Sequence, residues 1–463
     1  GALTERMGSD IHLSILRSDG GLASARSAAE SPVNLLMSGP AGGVAGAIHF
    51  CKQGGFNDIL TFDMGGTSTD VALIQNATAR VRRETRVGDV TVRAPSVDVR
   101  TVGGGSIAFV PELTKALRVG PESAGAKPGP AAYMKGGVEP TVCDANVVLG
   151  YLPSDVQLGG KMAINRDAAV AAVKKVADAM DISVEEAAEG IIKIANEAMF
   201  GALRLVSVEQ GFDPREFALV GFGGAGPLHA NALGILTQAW PAIIPPGPGV
   251  LCAYGDATTQ VRDEASQTLV SLIDNLTDDA FKQVLTELAE KASSTLLADG
   301  ISMDEQTITY EADVRYTGQA FQLCVPFSKQ DLEDKGLSLL KKHFDAEHTQ
   351  LFTFALEEGH EVVMVRAVAT AKSKALPTHP PVNTSYTLED CMLTDSQIYY
   401  EGSYHDAVIY ERRKLHEALS VKGPAVICEM DSTTVVLPGY VATVDSVGNL
   451  LLNPLSNPES TGK

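Results

Sequence analysis

A chain of 463 residues, 44% hydrophobic and with a single Trp, can bury substantial cores and is expected to divide into two or three soluble domains. Its formal net charge of −20 argues against a nucleic-acid or anionic-membrane partner, because no dense Lys/Arg stripe offsets the repulsion. The six cysteines (Cys51, Cys143, Cys252, Cys324, Cys391 and Cys428) show no C-x-x-C and no paired spacing, the pattern of reduced thiols in a cytoplasmic protein, and no apolar run approaches the roughly 20 residues that cross a bilayer.

Residues 1–8 read as the tail of an amphipathic helix leading into a strand at 11–16, so an N-terminal portion of a longer polypeptide is expected to be missing. The run Ser38-Gly39-Pro40-Ala41-Gly42-Gly43 allows a helix to start tight against a sheet. Ser38 and His49 invite a nucleophilic dyad, but no G-x-S-x-G elbow surrounds the serine. Next, an apolar strand, Leu60-Thr61-Phe62-Asp63-Met64, runs into Gly65-Gly66-Thr67-Ser68-Thr69-Asp70 and resumes as Val71-Ala72-Leu73-Ile74. Paired glycines relieve Cβ clashes in a tight bend and bring consecutive N–H groups close to an anion, while Thr67, Ser68 and Thr69 add hydroxyl donors. This is the chemistry of a phosphate hairpin. Asp63 would hold a magnesium ion through water, and Asp70 would orient a metal-bound water or the attacking group. A plain type I′ hairpin turn uses the same glycines, and the two flanking acids favour the phosphate reading over it. With so acidic a chain, an anionic nucleotide must be held locally, by backbone N–H groups, a divalent metal and cations such as Arg93, Arg100, Arg118 and Lys127.

Short strands, glycine clusters and helices alternate to about residue 265, which predicts an α/β domain over 1–265. Glu122, Lys127 and Asp144 fall in polar, glycine-rich loops, where substrate or interdomain contacts and exposed ion pairs explain them equally well, and a free thiol such as Cys143 in a loop does not by itself make a nucleophile. Asn165 and Ser183 read as N-caps, and Ser183 with Glu186 forms a capping box before a helix ending near Gly211, whose Ile191, Ile192, Ala195, Met199 and Leu203 make a core stripe. A buried strand at 217–220 then empties into Gly221-Phe222-Gly223-Gly224-Ala225-Gly226-Pro227-Leu228-His229, a second glycine loop between strand and helix, whose His229 reads as packed or capping. Residues 266–376 predict an α+β domain. It comprises a helix from Thr277 to about Gly300, strands at 307–316 and 320–325, a helix at 332–351 and a strand at 361–370. A proline-bearing linker at 375–386 leads to a compact β-rich module over 377–463, with runs at 406–410, 425–428, 433–437 and 441–444.

Taken together, these strings resemble the A-type chain of the hydantoinase, 5-oxoprolinase and acetone carboxylase superfamily. The strings are Ser38-Gly39-Pro40-Ala41-Gly42-Gly43-Val44, the hairpin at 62–71, Gly103-Gly104-Gly105-Ser106-Ile107-Ala108, Arg118-Val119-Gly120-Pro121-Glu122-Ser123-Ala124-Gly125-Ala126, and Pro128-Gly129-Pro130. They continue with Pro140-Thr141-Val142-Cys143-Asp144-Ala145, the loop 223–229, residues 316–326, Gly423-Pro424-Ala425 and Asp431-Ser432-Thr433-Thr434. The resemblance implies the fold of the actin and sugar-kinase ATPases, in which two lobes clamp ATP between phosphate hairpins, here followed by the α+β region and the β-rich module. It places the 62–70 hairpin on the second lobe and sets Gly223, Gly224, Ala225 and Gly226 against adenosine, where a side chain would displace the base. A tight strand-to-helix turn is the plainer reading of those glycines.

Two departures stand out. The family's other phosphate hairpin, of Asp-x-Gly-Gly-Thr type, has no copy upstream of Asp63, and the 101–106 run is shorter than the family's glycine-rich run. The resemblance implies an ATP- and Mg2+-dependent hydrolase that opens a cyclic amide by phosphorylating the amide oxygen, with a B-type partner chain or domain, a missing N-terminal lobe and an oligomeric assembly. An ATP-dependent ketone carboxylase component is the alternative within the superfamily. A noncatalytic fragment or assembly subunit with an incomplete clamp is the alternative of another class.

Overall fold

The computed structural model describes residues 6, 13–66, 68–87, 89–92, 94–102, 106–154, 162–372 and 384–455. They form a mixed α/β protein of two compact units, one of residues 39–258 and 378–463, the other of residues 1–38 and 259–377. This division cuts the chain at 258 and 377, near the expected 265 and 376, but it groups 378–463 with 39–258, and strand pairing is the reason.

In the larger unit, the described residues build a nine-stranded sheet around three parallel strands, Ile59–Met64, Ala218–Phe222 and Ala242–Ile244. All but the last two residues of Ile59–Met64 are buried in these strands, so they read as continuous apolar runs, not alternating ones. Thr69–Gln75 and Val99–Val102 extend one side antiparallel. The other side is extended by Leu450–Pro454, Tyr440–Val444 and Ser420–Lys422, all from the expected C-terminal module. Leu450 and Leu452 sit opposite Ile244 and Ala242 and are 1% and 0% exposed, so the C-terminal segment completes this core instead of closing one of its own. A second, four-stranded sheet in the same unit runs Met392–Tyr400, Ser403–Glu411, Ala425–Cys428, Thr433–Val436.

The capping box is formed as the sequence predicts: Ser183 Oγ accepts from the Glu186 N–H, and the Glu186 carboxylate accepts from the Ser183 N–H. The helix Val184–Val206 buries the stripe of Ile191, Ile192, Ala195, Met199 and Leu203. It stops short of Gly211 because Ser207 leaves helical geometry, after which the turn Val208–Gln210 closes on Gly211 at φ +81°. Gly43 of the helix Ser38–Gln53 explains part of that glycine-rich run, since a Cβ there would lie 2.7 Å from the Phe222 ring on the central sheet.

The smaller unit is a four-stranded antiparallel sheet, in the order Arg262–Leu272, His360–Ala371, Gln306–Tyr316, Leu323–Phe327. It is backed by the helix Asp278–Ala298, whose N-cap Thr277 accepts from the Ala280 N–H. The helix expected at 332–351 is two helices, Lys329–Lys335 and Ser338–Phe352, broken at Gly336, where φ is +63° and a Cβ would lie 3.0 Å from Asp278 Oδ2. The linker expected at 375–386 falls largely outside the described residues, as does most of the strand start expected at 11–16 before Ser14–Leu16. Among the described residues no helix is long and apolar enough to cross a membrane.

Candidate functional site

The strands Ile59–Met64 and Thr69–Gln75 pair antiparallel with Asp63 directly opposite Asp70 and Met64 opposite Thr69, so the connection over 65–68 is the tip of a tight hairpin. The Gly65 N–H donates to Ser68 O at 3.2 Å. Neither Gly65 nor Gly66 takes a left-handed φ, and a Cβ on either would meet nothing within 4 Å. A type I′ turn needs positive φ at both central residues, so the ordinary-turn explanation of the pair fails, and so does the expectation that a Cβ would clash here. What the glycines leave is uncovered backbone, with Ser68 and Thr69 beside it. Thr67 lies outside the described residues.

The second glycine loop sits on the first. Phe222 pairs with Asp63 across the parallel strands, and the Ala225 N–H donates to Met64 O at 3.0 Å. Gly223 is at φ +80°, and a Cβ there would fall 2.3 Å from Asp63 Oδ1 and 2.5 Å from Met64 O, so only glycine fits. Gly226 opens the helix Gly226–Thr237.

These loops open on one cavity of about 700 Å³, lined by Gly65, Gly66, Ser68, Thr69, Gly224 and Ala225 among others. Asp63, Asp70, Gly223 and Gly226 are not on its wall, and neither are Arg100, Arg118 and Lys127, so the expected local cations are not gathered there. Arg93 and the glycines 103–105 lie outside the described residues. Most of the remaining wall is apolar, including Val142, Leu152, Ile194 and Leu228.

Burial pushes the Asp63 carboxyl up to about 6, and the neighbouring Asp70 charge adds to the shift. The Cys252 thiol, which donates to Asp63 Oδ2 at 3.6 Å, acts the other way. Asp70 is raised by its own burial, against the pull of the Thr101 hydroxyl, which donates to its Oδ1 at 2.5 Å. Two adjacent carboxylates offer the hard oxygen donors that magnesium takes when water and phosphate oxygens complete its shell. The pair has the donor chemistry of a magnesium site but is set back from the cavity wall, so it fits the ion through intervening water. Among the described residues no cluster of three or more His, Cys, Asp or Glu side chains is arranged to hold a metal by itself.

Several residues weighed in the sequence find structural roles. Ser38 and His49 stand eleven positions apart on one helix, about 16 Å at the helical rise, which rules out a dyad. His229 is buried, hydrogen-bonded through Nδ1 to Asn196 Oδ1 at 2.7 Å, and burial pushes it down to about 4, so it stays neutral. Asp144 is no exposed ion pair. It is 0% exposed, caps its own helix with Thr141, and accepts from the Ala131 and Ala132 N–H groups at 3.3 and 2.8 Å. Cys143 is on the cavity wall, but burial pushes its thiol up to about 12, which keeps it protonated and unreactive.

Sequence reasoning missed Cys252 beside Asp63 and the placement of Tyr133, Asn146 and Asp431 on the cavity wall. Tyr133, Asn146 and Asp431 line the cavity, and Asp431 Oδ2 is buried without a hydrogen-bond partner. Only Asp431 lay in a string the sequence had singled out. Cys252 is 189 residues from Asp63, and no local pattern points to it.

Comparison with known proteins agrees with the glycine strings. The hydantoinase/oxoprolinase family model matches residues 3–265, and the hydantoinase/oxoprolinase C-terminal domain model matches residues 274–452. The chain is 33% identical to the caprolactamase subunit alpha of Pseudomonas jessenii over 467 aligned positions, which cover 98% of the chain and 66% of that protein. The crystal structure of the ATP-dependent caprolactamase from Pseudomonas jessenii superposes with a TM-score of 0.84 at 32% identity, covering 98% of the chain and 67% of that structure's chain. The nucleotide-free structure of acetone carboxylase, an enzyme of ATP-dependent acetone carboxylation, superposes with a TM-score of 0.76 at 25% identity, covering 98% and 66%. The chain thus spans about two thirds of the length of these relatives.

Proposed function

The chain belongs to the hydantoinase/oxoprolinase family, and from that premise we propose that it is the ATP-binding, A-type part of an enzyme that opens cyclic amides. The observation that carries the reading is the seating of one glycine loop on the other: Ala225 is bonded to Met64 and Gly223 is pressed against Asp63, so both loops face one cavity. A nucleotide laid along them has its adenosine against 223–226 and its phosphates at the hairpin tip. In this reading the larger unit is one lobe of an actin-like ATPase, and the second phosphate hairpin comes from outside these 463 residues.

Amide resonance makes a lactam or hydantoin carbonyl a poor electrophile. Transfer of the γ-phosphoryl group to the amide oxygen gives an imidate phosphate. Water adds to its carbon, the ring nitrogen takes a proton and leaves as the amine when the C–N bond breaks, and a second water hydrolyses the resulting acyl phosphate to carboxylate and phosphate. The chain's task is alignment and charge stabilisation. The Gly65 and Gly66 backbone and the Thr67, Ser68 and Thr69 hydroxyls donate to phosphoryl oxygens, and Asp70, held by Thr101, orients the attacking group. Asp63 is the residue that would hold magnesium, whose charge offsets that of the phosphoryl oxygens. A B-type partner contributes to the later chemistry.

A ketone carboxylase component is the second reading, favoured by the acetone carboxylase superposition. The test is a product assay on the full-length enzyme with its partner. ATP-dependent release of an amino acid from hydantoin, 5-oxoproline or caprolactam supports the hydrolase. Bicarbonate-dependent consumption of a ketone without amide opening replaces it with the carboxylase.

A further inference from the structure

We propose that Asn146 selects the base of the nucleotide by accepting a hydrogen bond from the exocyclic amine of adenine. The inference rests on the reading that adenosine lies against the 223–226 loop. Asn146 sits on the short helix Val142–Val148, is 1% exposed and forms part of the wall of the cavity that Gly224 and Ala225 also line. Its orientation is fixed by chemistry. Nδ2 donates to Val142 O at 3.1 Å, and because a carbonyl oxygen only accepts, the amide cannot be turned round without losing that bond. Oδ1 is thereby left as a buried acceptor with no hydrogen-bond partner. The residue's own carbonyl oxygen is already engaged by the Tyr151 and Leu152 N–H groups at 2.9 and 3.1 Å.

A buried acceptor without a donor is a cost to the fold that a ligand donor removes. Val142, Ile194, Ala198 and Leu228 of the same wall suit a flat, neutral ring. Adenine presents an amino group at the position where hypoxanthine and guanine present a carbonyl oxygen. With Nδ2 turned to Val142, the Oδ1 acceptor attracts the first and repels the others.

Ligand variants test this without touching the fold. Calorimetric titration of the full-length enzyme, with both phosphate hairpins present, with ADP, purine riboside 5′-diphosphate, which lacks the amine, and inosine 5′-diphosphate should give ADP the tightest binding. The gap to purine riboside diphosphate is expected to be about tenfold, the worth of one buried hydrogen bond, with the inosine compound weaker still. In Asn146→Leu, ADP and the purine riboside compound should bind within about twofold of each other, and if that variant does not fold the ligand series alone decides. Equal binding of ADP and purine riboside diphosphate to the unaltered full-length enzyme overturns the role of Asn146 and leaves the nucleotide reading standing. Failure of all three to bind overturns the nucleotide reading itself, and Asn146's role with it.

Discussion

Asp63 carries the sharpest conflict between stability and function. Its folded carboxyl titrates at about 6, above the ordinary carboxylate range, because the folded state buries it beside Asp70. The folded protein thus binds a proton that the unfolded chain has released between about pH 4 and 6. The sign follows: Asp63 opposes folding at neutral pH, and the penalty is relieved as pH falls through 6 toward 4. Asp63→Asn should therefore raise the stability of the larger unit at pH 7, by about 2 kcal/mol, measured by denaturant melts with divalent ions chelated. The difference from the unaltered protein should shrink toward pH 4. The same variant should lose ATP turnover in the full-length enzyme by at least about a hundredfold, the scale of removing one transition-state charge stabiliser. A variant that is less stable at pH 7 or keeps its turnover would remove Asp63 from the site.

At the scale of the element, the two glycine loops separate packing from function. Gly223 is required by the fold: left-handed φ, and a Cβ 2.3 Å from Asp63 Oδ1. Gly223→Ala should cost at least about 2 kcal/mol of stability through backbone strain and displacement of Asp63. Gly65 and Gly66 have open space where a Cβ would go. Gly65→Ala should leave the melting transition within about 0.5 kcal/mol of the parent while weakening ADP binding several-fold, read by calorimetry. Equal loss of stability from both substitutions would mean that the hairpin glycines are architectural. The hairpin and the loop were both legible in the sequence, because strand, glycines and polar donors are contiguous in each. The cavity wall was not. Tyr133, Asn146 and Met199 come from separate segments that only the tertiary fold assembles, and the local signal at Asn146 is no more than a polar residue in an apolar helix. Arg100, Arg118 and Lys127, singled out for a nucleotide, are off the cavity wall for the same reason. Charge in a sequence marks a need, and only the chain path decides which charges meet.

The whole molecule was less legible than its parts. Many strands and helices were foreseen to within a few residues, but Ala242–Ile244, Arg262–Leu272, Met392–Tyr400 and Leu450–Pro454 were not, and long-range pairing joins the segment after 377 to the earlier core. A proline-rich stretch and a change of composition near 377 mark a boundary in the chain, but not the end of a core. Leu450–Pro454 lies beside Ala242–Ile244, with Leu450 and Leu452 buried against strands some two hundred positions earlier, and Leu437 N–H is held by Asn231 Oδ1 at 2.9 Å. Alternation of buried and exposed positions shows that a strand exists. It does not show which edge the strand covers, because the same period serves any neighbour. The consequence is testable by truncation. If 377–463 were an independent module, residues 1–376 would fold without it. With the pairing described here, removing 378–463 uncovers the edge of Ala242–Ile244 and the apolar side chains that Leu450, Leu452 and Val421 cover, and an exposed hydrophobic edge strand aggregates. The 1–376 fragment should therefore be insoluble or molten, with lost near-ultraviolet dichroism and strong binding of a hydrophobic dye. Residues 39–258 co-expressed with 378–463 should recover native dichroism and a cooperative melt. A soluble, cooperatively melting 1–376 fragment would show that the C-terminal strands are an accessory to this core and not part of it.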